Sequence, residues 1–174
     1  MRIQMKGQIT INAAADKVWR VLAHNFDDIG RWATVISASK AATDMPAPEG
    51  AAVGGRVCSA PGFGEVQEKF TYYDEPARRF GYKGIEGLPS FIKAAENNWS
   101  VHALGANKCL VESRAEVDFK LIPGLLMIPI FKFQMGRTGA KLLEELKYYV
   151  EHDHPHPRKL KAQQQQLQQA APPS

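Results

Sequence analysis

Residues 129–150, PIFKFQMGRTGAKLLEELKYYV, read as one long helix around which the rest of the chain is organised. Phe131, Met135, Leu142, Leu146 and Tyr149 recur at three- to four-residue spacings or at sums of them, which places them on one apolar stripe. Lys132, Arg137, Lys141, Glu144, Glu145 and Lys147 fall mostly off that stripe. Pro129 suits a first helical turn, where a missing N–H is no loss. A helix of about 20 residues is about 30 Å long, the width of a small domain. Gly136, Thr138 and Gly139 sit in mid-helix. A glycine there costs about 1 kcal/mol relative to alanine. Beside plain core packing, two readings of the glycines remain: close approach of a strand, or a ligand cavity under the helix.

The partner surface for the stripe is a set of strands. Gln4 to Ile11 alternates as an edge-type strand. Asn12 is a good N-cap for a helix reaching about Ala23, with Val18, Trp19, Val21 and Leu22 as its apolar face. Phe26 to Trp32 fits a turn or a second short helix, and Ala33 to Thr43 is strand-like. The middle reads as strands at Gly55 to Ala60, Glu65 to Asp74, Phe80 to Glu86, Ala94 to Leu104 and Cys109 to Leu121, joined by short turns. Short turns mean an antiparallel meander, and strands apolar on one side only mean that one face is covered. The fold class is therefore α+β. A curved antiparallel sheet of about seven strands wraps around the long C-terminal helix, with two short helices after the first strand. Such a helix-grip arrangement tends to leave a cavity between sheet and helix.

The totals narrow the function classes. Of 174 residues, residues 1–151 form one domain. Residues 152–174, a His/Pro- and Gln-rich tail without an apolar face, are expected to be disordered. The N-terminal MRIQMKGQIT holds no apolar run of signal-peptide length, and no stretch approaches the roughly 18 apolar residues of a membrane span. Two cysteines, Cys58 and Cys109, point to a reducing compartment and a cytoplasmic location. The net charge of +4, scattered among acids, argues against nucleic acid as a partner. The continuously apolar LIPGLLMIPIF, Leu121 to Phe131, is a buried hinge, a lid for ligand entry, or a patch for peripheral contact with a membrane or partner protein.

INAAADKVWRVLA followed by FDDIGRW resembles the opening of START-like (SRPBCC) proteins. GGRVCSAPGFGEVQEKFTYYDEPARRFGY resembles the strand pairs of their polyketide cyclase/dehydrase-like branch, and GLPSFIKAAENNWSV and LLEELKYYVE fit as well. The likeness covers about residues 3 to 151. It implies the helix-grip fold but no single activity, because that superfamily includes carriers, aromatase/cyclases, lyases and accessory proteins.

Strand parity puts Glu68 with Val66, Phe70 and Tyr72 on the cavity face. A carboxylate there is costly unless paired. Either it neutralises Arg56 on the neighbouring strand, or it faces the ligand as a general acid/base with Arg56 beside it. Trp32, Phe70, Tyr72, Tyr82 and Trp99 are candidates to line the cavity, as are Met135 and Thr138 from the helix. Asn97 shares the parity of Trp99, and Ser113 lies between Val111 and Ala115. Each either finds a backbone or water partner or orients a ligand carbonyl. His24 reads as a capping or surface residue and His102 as solvent-facing. Ser113 has no His/Asp partner for a hydrolase triad. The His152, His154 and His156 run offers at most weak metal binding, so no metal or cofactor is assigned. The expected function is binding of a small hydrophobic or aromatic molecule, as a carrier. Two alternatives stand beside it: a cofactor-independent cyclase/dehydratase using Glu68 and Arg56, and an accessory protein contacting a membrane or partner.

Overall fold

The computed structural model describes residues 1–62, 64–120 and 128–170, and no side chains for residues 128–131 and 170. β1 (Arg2–Ile11) leads into the short helix α1 (Ala15–Trp19), a π turn (Arg20–His24) and a 3-10 turn (Phe26–Arg31). β2 (Ala38–Ala41), β3 (Gly55–Ala60), β4 (Gly64–Asp74), β5 (Arg79–Glu86), β6 (Ile92–Gly105) and β7 (Lys108–Phe119) follow, then α2 (Ile128–His152) and α3 (Pro157–Ala170). The strands form one antiparallel sheet in the order β1-β7-β6-β5-β4-β3-β2. Hairpins join β3 through β7 in sequence, and β1 closes on β7 with Ile9 opposite Val111. The seven-stranded curved sheet against a long C-terminal helix is the helix-grip fold expected from the sequence.

The core forms where the inner face of the sheet meets α1, the turns after it, and the second half of α2. Leu143, Leu146 and Val150 are buried there with Trp19, Phe26, Phe80, Trp99, Val101 and Val111. The buried stripe thus runs one position round from the expected one. Leu142 and Tyr149 are only partly buried, and Met135 joins a smaller cluster of Ile3, Val117 and Phe119. The side chain of Phe131 and the Leu121–Phe131 patch lie outside the described side chains. Gly7 of β1 is the point of close approach. A Cβ placed on it would meet Leu143 Cδ1 at 2.7 Å.

Three expectations need correction. First, α1 starts at Ala15 behind Ala14, which makes no side-chain cap. The Asn12 backbone N–H instead donates to Glu151 Oε1 at 2.7 Å, tying the end of β1 to α2. Second, Tyr72 lies on the outer face. Phe70 pairs with Tyr82 and Tyr72 with Gly81, so Thr71 is an extra residue in a β-bulge. The bulge reverses the alternation. Tyr73 packs inward on Trp19 and Phe70, while the Tyr72 ring lies against Gly81.

Third, Pro157–Ala170 forms the helix α3 in place of the expected structureless tail. An apolar stripe does not hold it; ion pairs and hydrogen bonds do. Lys159, 1% exposed, donates from Nζ to the Ile36 carbonyl at 2.6 Å. Arg158 reaches Glu144 at 2.8 Å and Glu145 at 3.2 Å. Buried Glu145 also accepts from the Thr34 backbone N–H and the Thr34 hydroxyl, both at 2.8 Å. Lysine, arginine and glutamine are good helix formers, so little local preference opposes this helix.

A cavity under α2 and the polar chain behind it

The first half of α2 stands off the sheet. Gly136 and Gly139 have nothing within 4 Å of where a Cβ would be. Of the two readings of these glycines, the structure shows open space under the helix and no strand pressed against it. The space is a cavity of about 690 Å³ between β1, β6, β7 and α2. It falls in the size range of small-molecule sites. Apolar groups make most of its wall: Met5, Ile9, Trp99, Ala115, Met135 and Leu142.

Five of the residues singled out in the sequence come together on this wall: Asn97, Trp99, Ser113, Met135 and Thr138. β6 and β7 carry the polar pair. The Ser113 hydroxyl donates to Asn97 Oδ1 at 3.0 Å, and Asn97 Nδ2 donates to the Tyr82 hydroxyl at 3.4 Å. Tyr82 is therefore one step behind the wall. Burial, with the Glu68 carboxylate adding to it, pushes the Tyr82 phenol above its ordinary pKa, so it stays protonated.

Arg56 and Glu68 lie deeper still. They are opposite each other on β3 and β4, and Arg56 Nε meets Glu68 Oε2 at 2.6 Å. Arg56 Nη1 donates to the Phe26 carbonyl at 2.8 Å. The guanidinium lies 4.0 Å from the Phe26 ring centre and 4.8 Å from that of Tyr82. Burial works against its charge, but the Glu68 carboxylate outweighs it and holds the Arg56 pKa above the ordinary value. The neighbouring Cys58 thiol is pushed up to about 12, chiefly by burial, so it is no thiolate. The space found beside Arg56, Tyr82 and Trp32 is about 10 Å³, room for one water at most. Trp32 and Phe70 are core residues at 3% and 7% exposure and do not reach the large cavity. Tyr72, on the outer face, belongs to an open hollow of about 790 Å³ among Arg79, Asn98, His102, Arg114 and Glu116. That hollow carries charges of both signs and suits a solvated sheet face.

The histidines take up structural places. His24 Nε2 lies 2.8 Å from Glu75 Oε1, and the Tyr73 hydroxyl donates to Glu75 Oε2 at 2.6 Å. His102 pairs with Glu112 on the outer face. The rings of His152, His154 and His156 gather round Tyr148. Among the described residues, no three His, Cys, Asp or Glu side chains are grouped to hold a metal ion.

Sequence reasoning missed Met5, Ile9 and Ala115 as wall residues. The period-two alternation of Met5, Gly7 and Ile9 was readable on β1, but only the pairing of β1 with β7, Met5 opposite Ala115, shows that they face the same space as Ser113.

Comparison with known proteins agrees with this architecture. A START superfamily protein from Mycobacterium smegmatis superposes with a TM-score of 0.69 at 17% identity, covering 85% of this chain and 97% of its own. The Zhui aromatase/cyclase from Streptomyces sp. R1128 gives 0.68 at 14% identity, covering 87% and 94%. Norcoclaurine synthase from Thalictrum flavum, solved with dopamine and hydroxybenzaldehyde, gives 0.61 at 21% identity, covering 87% and 88%. No curated protein matches in sequence. The sequence model for polyketide cyclase / dehydrase and lipid transport proteins matches residues 2–151, from the first strand to the end of α2, and the chain belongs to that family.

Proposed function

We propose that this domain binds a small hydrophobic or aromatic molecule in the cavity under α2 and acts as its carrier. The observation that carries this reading is the composition of the cavity: about 690 Å³ of mostly apolar wall with a hydrogen-bonded polar spot, Asn97 and Ser113, on the sheet side. Apolar burial supplies the affinity and the polar spot sets the orientation. Family membership and the fold shared with ligand-binding structures support it. Native mass spectrometry of freshly purified protein is the direct test. A co-purified apolar molecule of a few hundred daltons is expected. An empty protein that also fails to enhance the fluorescence of anilinonaphthalene sulfonate would sink the reading.

The second reading is a cofactor-independent cyclase or dehydratase. Glu68 favours it: its side chain is on the inner face and 20% exposed. Against it stand the direct ion pair with Arg56 and the small size, about 10 Å³, of the space found beside Arg56. Both cysteines are buried free thiols, which fits a reducing cytoplasm. No helix among the described residues is long and apolar enough to cross a membrane. An accessory role through Leu121–Phe131 remains a proposal resting on the apolar sequence of that stretch.

A further inference from the structure

Two hydroxyl side chains line the cavity from opposite walls, and both have already committed their protons. Ser113 on β7 donates to Asn97 Oδ1 at 3.0 Å. Thr138 on α2 donates to the Gln134 backbone carbonyl one turn back, also at 3.0 Å. A hydroxyl has one proton and two lone pairs. Each of these therefore offers a ligand lone pairs only. The Asn97 carbonyl accepts from Ser113, and one of its two amide N–H bonds goes to the Tyr82 hydroxyl. Among the described residues, no charged side chain in the wall is buried. Lys6 and Glu144 line it but are exposed, and Glu144 is held by Arg158. Gln8 and Gln134 are exposed as well, where water competes for their amides.

We propose that the cavity selects an uncharged, hydroxylated ring compound, a phenol or ring alcohol, over the matching methyl ether. This rests on the cavity being the binding site. The ligand's O–H donates to Ser113, with Thr138 available to a second hydroxyl at the helix side. An ether oxygen set against Ser113 meets lone pair with lone pair and loses its water without replacement. Sites built to hydrogen-bond a hydroxyl discriminate strongly against analogues that lack it.

The test is calorimetric titration of the full chain with 2-naphthol and with 2-methoxynaphthalene, which differ by one O-methyl group. Tighter binding of the naphthol, by about tenfold, is expected from one net hydrogen bond plus the unpaired acceptor it avoids. Ser113→Ala should bring the ratio of the two affinities close to one. Thr138→Ala, at an exposed position at the rim of the cavity, should leave the ratio at its wild-type value, because the single naphthol hydroxyl goes to Ser113. Equal affinities in the wild type overturn the selection while leaving the cavity reading intact. A ratio that persists unchanged in Ser113→Ala also overturns it. Failure of both compounds to bind up to their solubility limits removes the cavity reading, and this inference with it.

Discussion

Glu68 Oε2 lies 2.6 Å from Arg56 Nε, and the two side chains are held face to face by the β3–β4 register. Burying one charge without the other is far more costly than burying the pair. Glu68→Gln should therefore destabilise the fold by about 3 kcal/mol, the low end for breaking a buried pair, since glutamine keeps one hydrogen bond. Urea melts measure this. An unchanged midpoint, with loss of turnover on an identified ligand, would instead favour Glu68 as an acid/base.

Truncation after His152 should lower the melting temperature. It removes Arg158 and Lys159 and leaves the buried Glu145 carboxylate with Thr34 as its remaining hydrogen-bond partner. An under-satisfied buried charged group costs about 1–3 kcal/mol, which is a shift of roughly 3–10 °C in a domain of this size. Calorimetric scans of the two chains decide it. Identical melts would mean that α3 is only loosely laid on the domain.

Gly139→Ala should stabilise α2 by up to about 1 kcal/mol, because helix propensity rises and nothing stands in the way of the new methyl. Gly139→Phe should also fold, yet fill the cavity and abolish ligand binding. Thermal melts beside naphthol titrations separate the two effects. Leu146→Ala, at a fully buried position of the same helix, should cost about 2–5 kcal/mol.

Glu75 supplies a pH dependence. Burial raises its pKa, but the hydrogen bonds from Tyr73 and His24 outweigh that and hold it below the ordinary carboxylate value. A depressed folded-state pKa means stability that is present above the unfolded value, about 4.3, and is lost as pH falls through the lower folded one. The melting-temperature gap between wild type and Glu75→Gln should therefore be constant near neutrality and close below about pH 4. A gap that widens on acidification would contradict the assignment.

The sheet and the long helix were legible because their signals are local. Period-two alternation in the 12 residues of β7 and three- to four-residue spacing in the 25 of α2 each show within one short stretch of sequence. The wall residues Asn97 and Ser113 followed from the same parity. Tyr72 did not, because one extra residue at Thr71 is invisible to a count that assumes an unbroken strand. The docking of α3 escaped for a different reason. Lys159, Arg158 and Glu145 look like solvated charges in sequence, and only the tertiary structure makes them one another's partners.

The Thr71 bulge bears on how relatives of this chain should be compared. Phe70 and Tyr73 both face inward, with two outward residues between them. A relative lacking the extra residue has one outward residue there, so its inward set is offset by one beyond that point. Aligned without a gap at Thr71, every position from Tyr72 to Asp74 would be compared with a residue on the opposite side of the sheet. Inner-wall identities in such relatives have to be counted from the β4–β5 turn backwards as well as from β3 forwards.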